Sequence, residues 1–213
     1  MVKGAFGRSG GMAFWWRKSC LLVTEVIRDR HMLTCRCQSP QGDMEWFVSC
    51  IYGPCVAADR AGLWEDLSAM HQRVQEVPWL LGGDFNCHLS SEDSPGGRLD
   101  SSMAGFQMAV QNMGLTEYPI SGVEFTWRNG SGQVSKLDRF FGSPSLLERH
   151  QLSTVMSLDR PFSDHTPLVW DSGMSSDIGS YFKLKRSWFR EEGFVQMVSQ
   201  WWQNKAVQGS ATQ

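Results

Sequence analysis

Four short stretches of this chain carry side chains suited to work on a phosphate or an ester. The first is LLGGDFN, residues 80–86, where aliphatics give way to two glycines and then to Asp84 and Asn86. Side chains two apart on an extended backbone point the same way, so this spacing aims a carboxylate and a carboxamide at one place. An Asp just past the C-terminal end of a buried strand can take a proton from water or hold a cation. An Asn beside it can orient a phosphate oxygen or a nucleophile. Asx residues are also common in turns, and a capped turn fits this stretch alone about as well.

The second stretch is Ser163-Asp164-His165, in the loop before TPLVW. It offers a carboxylate for a metal and an imidazole that titrates near neutrality, although an isolated Asp-His pair is more often plain loop. The third is KLDRFF, with Asp138 inside an apparent strand between Leu137 and Phe140. A carboxylate there must be exposed, paired or functional, because burying it unpaired is prohibitive; the bland expectation is a pair with Lys136 on the same face. Tyr52, ending FVSCIY, is the fourth: a phenol at a strand end, more often core than catalytic. GSGQVSK has the residues of a phosphate loop at the wrong spacing, inside a hairpin turn.

These residues need strands to hold them, and the sequence supplies strands. GMAFWW, CLLVTEVIRD and MLTCRCQ are β-rich, and MEWFVSCIY runs to a firm stop at Gly53-Pro54. From Asp59, placed to cap, Leu63, Leu67, Met70 and Val74 recur at helical spacing until Pro78, and WLLGG then reads as a short buried strand. Residues 90–100 are loop by composition. Ser102 is placed to cap a helix bearing Phe106, Val110 and Met113, closed by Gly114. A hairpin follows, EFTWR and VSKLDRFFG about an Asn129-Gly130 turn. SLLERH reads as a short helix, and LSTVMSL and TPLVW as strands. The sum is a sheet-rich α/β arrangement.

At 213 residues, 41% hydrophobic and 20% charged, the chain fits one domain with a real core, or one domain with an appendage. A net charge of −2 gives no global pull toward nucleic acid, so any such contact must rely on local basic patches. The six cysteines form no CxxC pair, which argues against zinc. The opening MVKGAFGRSGG has no apolar signal core, so reduced thiols and an intracellular location are expected. No apolar run approaches the length of a membrane span. The composition divides the chain into a domain over 1–170, a Gly/Ser-rich linker over 171–180 and a basic, aromatic segment over 181–213. That last segment carries Lys183, Lys185 and Arg186, then an amphipathic helix with Phe194, Val198, Trp201 and Trp202.

Taken in order, IYGP (51–54), LLGGDFN (80–86), FTW (125–127), KLDRFFGS (136–143) and RPFSDHTPLV (160–169) resemble the endonuclease/exonuclease/phosphatase superfamily. The likeness is closest to the apurinic-type endonuclease domain of plant LINE-type (non-LTR) retrotransposons. It extends over nearly the whole chain, since SGGMAFWW resembles that domain's Ser-Gly-Gly strand and FKLKRSWFREEGF its passage toward the reverse transcriptase. The resemblance implies a two-sheet, four-layer α/β sandwich. It also implies a DNA phosphodiester hydrolase dependent on Mg²⁺ (or Mn²⁺), working in the nucleus with no organic cofactor and no membrane. By motif, Asp84 matches the residue that activates water, Asn86 one that holds the scissile phosphate, and Tyr52 a phosphate-contacting phenol. Asp138 matches the carboxylate that orients the catalytic histidine, His165 that histidine, and Asp164 a metal-side carboxylate. Thr126 and Ser163 match DNA-contacting positions.

One departure counts against full activity. Family members begin with a strand bearing an Asn, a helix, and a strand ending in a Glu that binds the cation. Nothing before Gly10 resembles either motif, and Glu25, beyond the Ser-Gly-Gly strand, is no substitute. The expectation is a sandwich missing its first strand-helix-strand region, with weakened cation binding and impaired cleavage. The alternatives are an inactive remnant with weak nucleic-acid binding, or a phosphatase of the same superfamily acting on small phosphate esters.

Overall fold

The computed structural model describes residues 2–3, 11–96, 100–160, 162–173 and 193–203. A short pair, β1 (Val2–Lys3) and β2 (Met12–Ala13), precedes three antiparallel strands, β3 (Leu22–Arg28), β4 (Met32–Gln38) and β5 (Glu45–Tyr52). Helix α1 (Arg60–Val74) leads to β6 (Trp79–Asp84), which runs parallel to β5. Then come α2 (Met103–Asn112), β7 (Thr116–Glu117) and β8 (Ile120–Ser121). A small hairpin, β9 (Trp127–Arg128) and β10 (Val134–Ser135), is followed by β11 (Asp138–Gly142). Helix α3 (Pro144–Arg149), β12 (Thr154–Ser157) and β13 (Leu168–Asp171) complete this unit. The main sheet has the order β3-β4-β5-β6-β11-β7, and a second sheet the order β13-β12-β8. This is the expected α/β sandwich. The chain divides into two compact units, Met1–Met174 and Ser175–Gln213; the second contains α4 (Phe194–Gln203), a helix where the spacing of Phe194 and Val198 places one.

Alternation along β6 builds both faces of the main sheet. Trp79 and Leu81 enter the helix-side core with Leu63, Leu67, Met70 and Val74 of α1, while Leu80 joins Tyr118, Leu146 and Val155 on the opposite side. Trp64 of α1 stacks on Phe106 of α2 with centroids 4.6 Å apart. Phe85 is 1% exposed and meets Phe106 and Phe141 at 5.1 and 5.3 Å. It anchors the motif on the helix side, which leaves Asp84 and Asn86 turned the other way. Phe85→Ala should cost about 3–5 kcal/mol in urea unfolding and loosen the neighbouring site.

Several local expectations yield to longer-range partners. Asp59 stands at the start of α1, yet its side chain caps nothing; a 3-10 turn, Ala57–Asp59, enters the helix instead. Ser102 likewise makes no cap bond. Its hydroxyl lies between Asp100, at 2.7 Å, and the buried Arg60, also at 2.7 Å. GMAFWW is strand only at Met12–Ala13, and Trp15 is exposed. The run VSKLDRFFG splits, with β10 pairing β9 while β11 leaves to lie between β6 and β7. Lys136 pairs with Glu117 at 2.7 Å, not with Asp138. All six cysteines are free thiols. No described helix is long and apolar enough to cross a membrane. Lys183, Lys185 and Arg186 lie outside the described residues.

Candidate active site

Strand register assembles the site. Tyr52 pairs with Asp84 across β5 and β6, and Asp84 with Asp138 across β6 and β11. A phenol and two carboxylates from distant parts of the sequence therefore stand side by side at three strand ends. Close backbone approach is what the glycines allow. A Cβ on Gly53 would sit 2.2 Å from the Phe85 carbonyl oxygen, and one on Gly83, at φ +141°, 2.1 Å from that of Ile51.

Asn86 adopts φ 50° and grips Asp84 twice. Its backbone N–H donates to Oδ1 at 2.8 Å, and its Nδ2 donates to Oδ2 at 2.9 Å and to the Gly53 carbonyl at 2.9 Å. Both partners of Nδ2 are acceptors, which fixes the amide orientation and leaves no amide proton for a phosphate. In this arrangement Asn86 orients Asp84. Burial first, and the Asp138 carboxylate second, push Asp84 up to about 6.

His165 lies between the two carboxylates. Its Nδ1 is 2.8 Å from Asp138 Oδ2, and its Nε2 is 4.0 Å from Asp84 Oδ2. The Asp138 hydrogen bond holds the imidazole above its usual pKa, against the opposing effect of burial. Donor atoms of Asp84, Asp138 and His165 all fall within 4.8 Å of one another. A cavity of about 490 Å³ opens beside them, lined by Val48, Tyr52, Asp138, Phe140, Ser163 and His165 among others.

The remaining predicted residues do different work. Asp164 is outside the cluster of three; its Oδ2 accepts from the Trp127 indole at 2.9 Å, and that bond holds its carboxyl below the usual range. Ser163 Oγ accepts from the His165 backbone N–H at 3.0 Å, shaping the loop. Thr126 is fully buried, so its side chain faces the protein interior, not a ligand. Glu25 pairs with Arg73, and no glutamate joins the cluster among the described residues.

Two residues passed over in the sequence support this site. Arg60, 5% exposed, donates to the carbonyls of Pro54 and Cys55 at 2.9 and 3.1 Å and pairs with Asp100, so it holds the turn after Tyr52. Trp127 forms an isolated bridge with His165 and holds Asp164. An Arg six residues past Gly53-Pro54 and a Trp in FTW were the available signals.

Residues 2–165 match the Endonuclease/Exonuclease/phosphatase family, and the chain belongs to that family. Among solved structures, it is similar to the endonuclease domain of TRAS1, a telomere-specific non-LTR retrotransposon. The TM-score is 0.55 at 17% identity, over 69% of this chain and 68% of that one. An endonuclease/exonuclease/phosphatase family protein from Bacteroides thetaiotaomicron gives 0.52 at 14% identity, over 72% of this chain and 65% of that one. At these identities the likeness is one of fold. The 149 kDa protein of transposon TX1 from Xenopus laevis is 28% identical over 163 residues, which are 71% of this chain and 12% of that protein's length. The chain is thus an endonuclease/exonuclease/phosphatase-family domain that has a transposon protein among its relatives.

Proposed function

We propose that the chain is a divalent-cation-dependent DNA endonuclease of retrotransposon origin, working at Asp84, Asp138 and His165. The observation that carries this reading is the imidazole held by one carboxylate and facing another. Asp138 fixes the proton on Nδ1, so Nε2 faces the cleft and, when protonated, donates to an oxygen of the scissile phosphate. A water can lie about 2.8 Å from both Nε2 and Asp84 Oδ2 at the apex over their gap, where Asp84 can take its proton. Asn86 keeps Asp84 turned to that point. Tyr52 offers a phenol to the same phosphate. Beside His165, the exposed Phe162, Arg128 and Arg160 form a rim suited to bases and flanking phosphates. A DNA substrate places the working enzyme in the nucleus.

The donor set fits a hard cation, since two half-buried carboxylates stand together and Asp84 is pushed up in pKa by burial first and by Asp138 second. Asp84 and Asp138 would hold Mg²⁺ or Mn²⁺, and Asp164 adds negative charge felt at His165. The cation, when bound, would neutralise charge developing on the phosphate. Two aspartates and water hold a cation loosely, so slow turnover is expected from these 213 residues.

A melting experiment tests the cation site. Asp84 has a raised folded-state pKa of about 6, so its ionisation costs stability as pH climbs from about 4 through 6. A cation that binds the ionised pair offsets that cost. The rise in Tm with millimolar Mg²⁺, beyond an ionic-strength control, should therefore grow from pH 5 to pH 7.5. Equal melts in both salts at pH 7.5 count against the site. The reaction itself is tested by setting duplex DNA against a phosphate monoester. DNA cleavage without monoester turnover is the expected result, and the reverse order assigns the chain to the phosphatases.

A further inference from the structure

Thr126 is polar and fully buried, and its hydroxyl is engaged by the protein. Oγ1 accepts from the backbone N–H groups of both Leu137, at 3.0 Å, and Asp138, at 2.9 Å. Its own N–H donates to the Ser135 carbonyl at 3.1 Å, and its carbonyl accepts from the Thr166 N–H at 2.7 Å. One residue thus joins the end of β10, the first residue of β11 and the residue after His165. The next two extend the seam: Trp127 bridges His165, and the Arg128 N–H donates to the Asp164 carbonyl at 2.9 Å.

We propose that Thr126 is a positioning residue for the Asp138–His165 pair, its hydroxyl fixing the start of β11 against the loop that carries the histidine. Asp138 is the first residue of its strand, and the hydroxyl acceptor determines where that strand begins. The Leu137 carbonyl accepts from the Phe85 N–H at 3.0 Å, so the same two-residue step is tied to the motif carrying Asp84. Two half-buried N–H groups that lost their acceptor would shift to find another, because a donor shielded from water and left unmade is costly. That shift would carry the Asp138 carboxylate with it. A hydrogen bond of 2.8 Å tolerates only a few tenths of an ångström before it weakens. Side-chain burial also removes this threonine from the DNA-contact role that its motif position suggests. The inference rests on reading Asp138–His165 as the working pair, and not on DNA as the substrate.

The test compares Thr126→Val, which keeps the shape and removes the acceptor, with Thr126→Ser, which keeps the acceptor. Three readouts are taken on protein with a native near-ultraviolet circular dichroism spectrum. They are the low-field Nδ1–H proton signal of His165, amide exchange at Leu137 and Asp138, and kcat and KM for plasmid nicking. The valine variant should lose the Nδ1–H signal and exchange faster at both amides. Its kcat should fall by roughly 10²-fold with KM unchanged, the consequence of about 1 Å of slack. The serine variant should restore all three. If the valine variant does not fold, Thr126→Cys, a weak acceptor of similar volume, takes its place with the same expected losses. A folded acceptor-deficient variant that keeps the His165 signal would overturn the proposal, as would failure of serine to restore it. If no variant nicks DNA, wild type included, while the signals follow this pattern, the positioning role stands and the endonuclease reading fails.

Discussion

Asp138→Asn should slow DNA nicking by roughly 10²–10⁴-fold, the range for removing a working acid–base partner, while leaving DNA affinity nearly unchanged. Asp138 Oδ2 holds His165 Nδ1 at 2.8 Å and is the main reason the imidazole stays protonated above its usual range. Asparagine can accept the same hydrogen bond but carries no charge. The His165 pKa should then fall, so activity that needs the imidazolium is lost at a lower pH. Asp138 is also the second cause of the raised Asp84 pKa. Its neutralisation lets Asp84 ionise at a lower pH. Both limbs of a bell-shaped pH–rate profile should therefore move toward acid, and the deficit should be larger at pH 8 than at pH 6. Single-turnover cleavage of a labelled duplex across that range measures it. A uniform loss with both limbs in place would mean that Asp138 does not act by tuning the protonation of His165 and Asp84.

The second large effect is on stability. Arg139, beside Asp138 on β11, is 1% exposed and is held by Asp93 and Glu117. Removing one partner leaves a buried guanidinium under-compensated, which typically costs about 3–5 kcal/mol. Asp93 is itself buried, and its carboxylate also accepts the Ser90 backbone N–H at 2.8 Å, so Asp93→Asn falls in that range. The Arg36–Glu45 pair is much more exposed and screened by water, so Glu45→Gln should cost far less than Asp93→Asn. Urea unfolding of the two variants in parallel checks the contrast. Equal costs would mean that the Arg139 network contributes no more than a surface pair.

Much of the sheet could be read from the sequence because its strands alternate or are wholly apolar. WLLGGD and EWFVSCIY announce themselves in this way, and the paired glycines mark where two strand ends approach closely. The row Tyr52–Asp84–Asp138 was legible as residue types, but its assembly depends on register between segments far apart in sequence. Local partners misled wherever a distant one was stronger. Lys136 was the nearest cation to Asp138, yet it serves Glu117, and Asp138 turns to His165. Ser102 had the position of a cap and went to Arg60 and Asp100. The inward-facing hydroxyl of Thr126 and the committed amide of Asn86 follow from tertiary hydrogen bonds that no spacing encodes.

The most direct measurement is nicking of supercoiled plasmid with and without Mg²⁺, by the wild-type chain and by His165→Ala. Slow nicking is predicted that requires the cation and disappears in the variant, whose fold is verified by its melting curve. Nicking that persists at the wild-type rate in His165→Ala, or that proceeds equally well in a chelator, would contradict a phosphodiesterase centred on Asp84, Asp138 and His165.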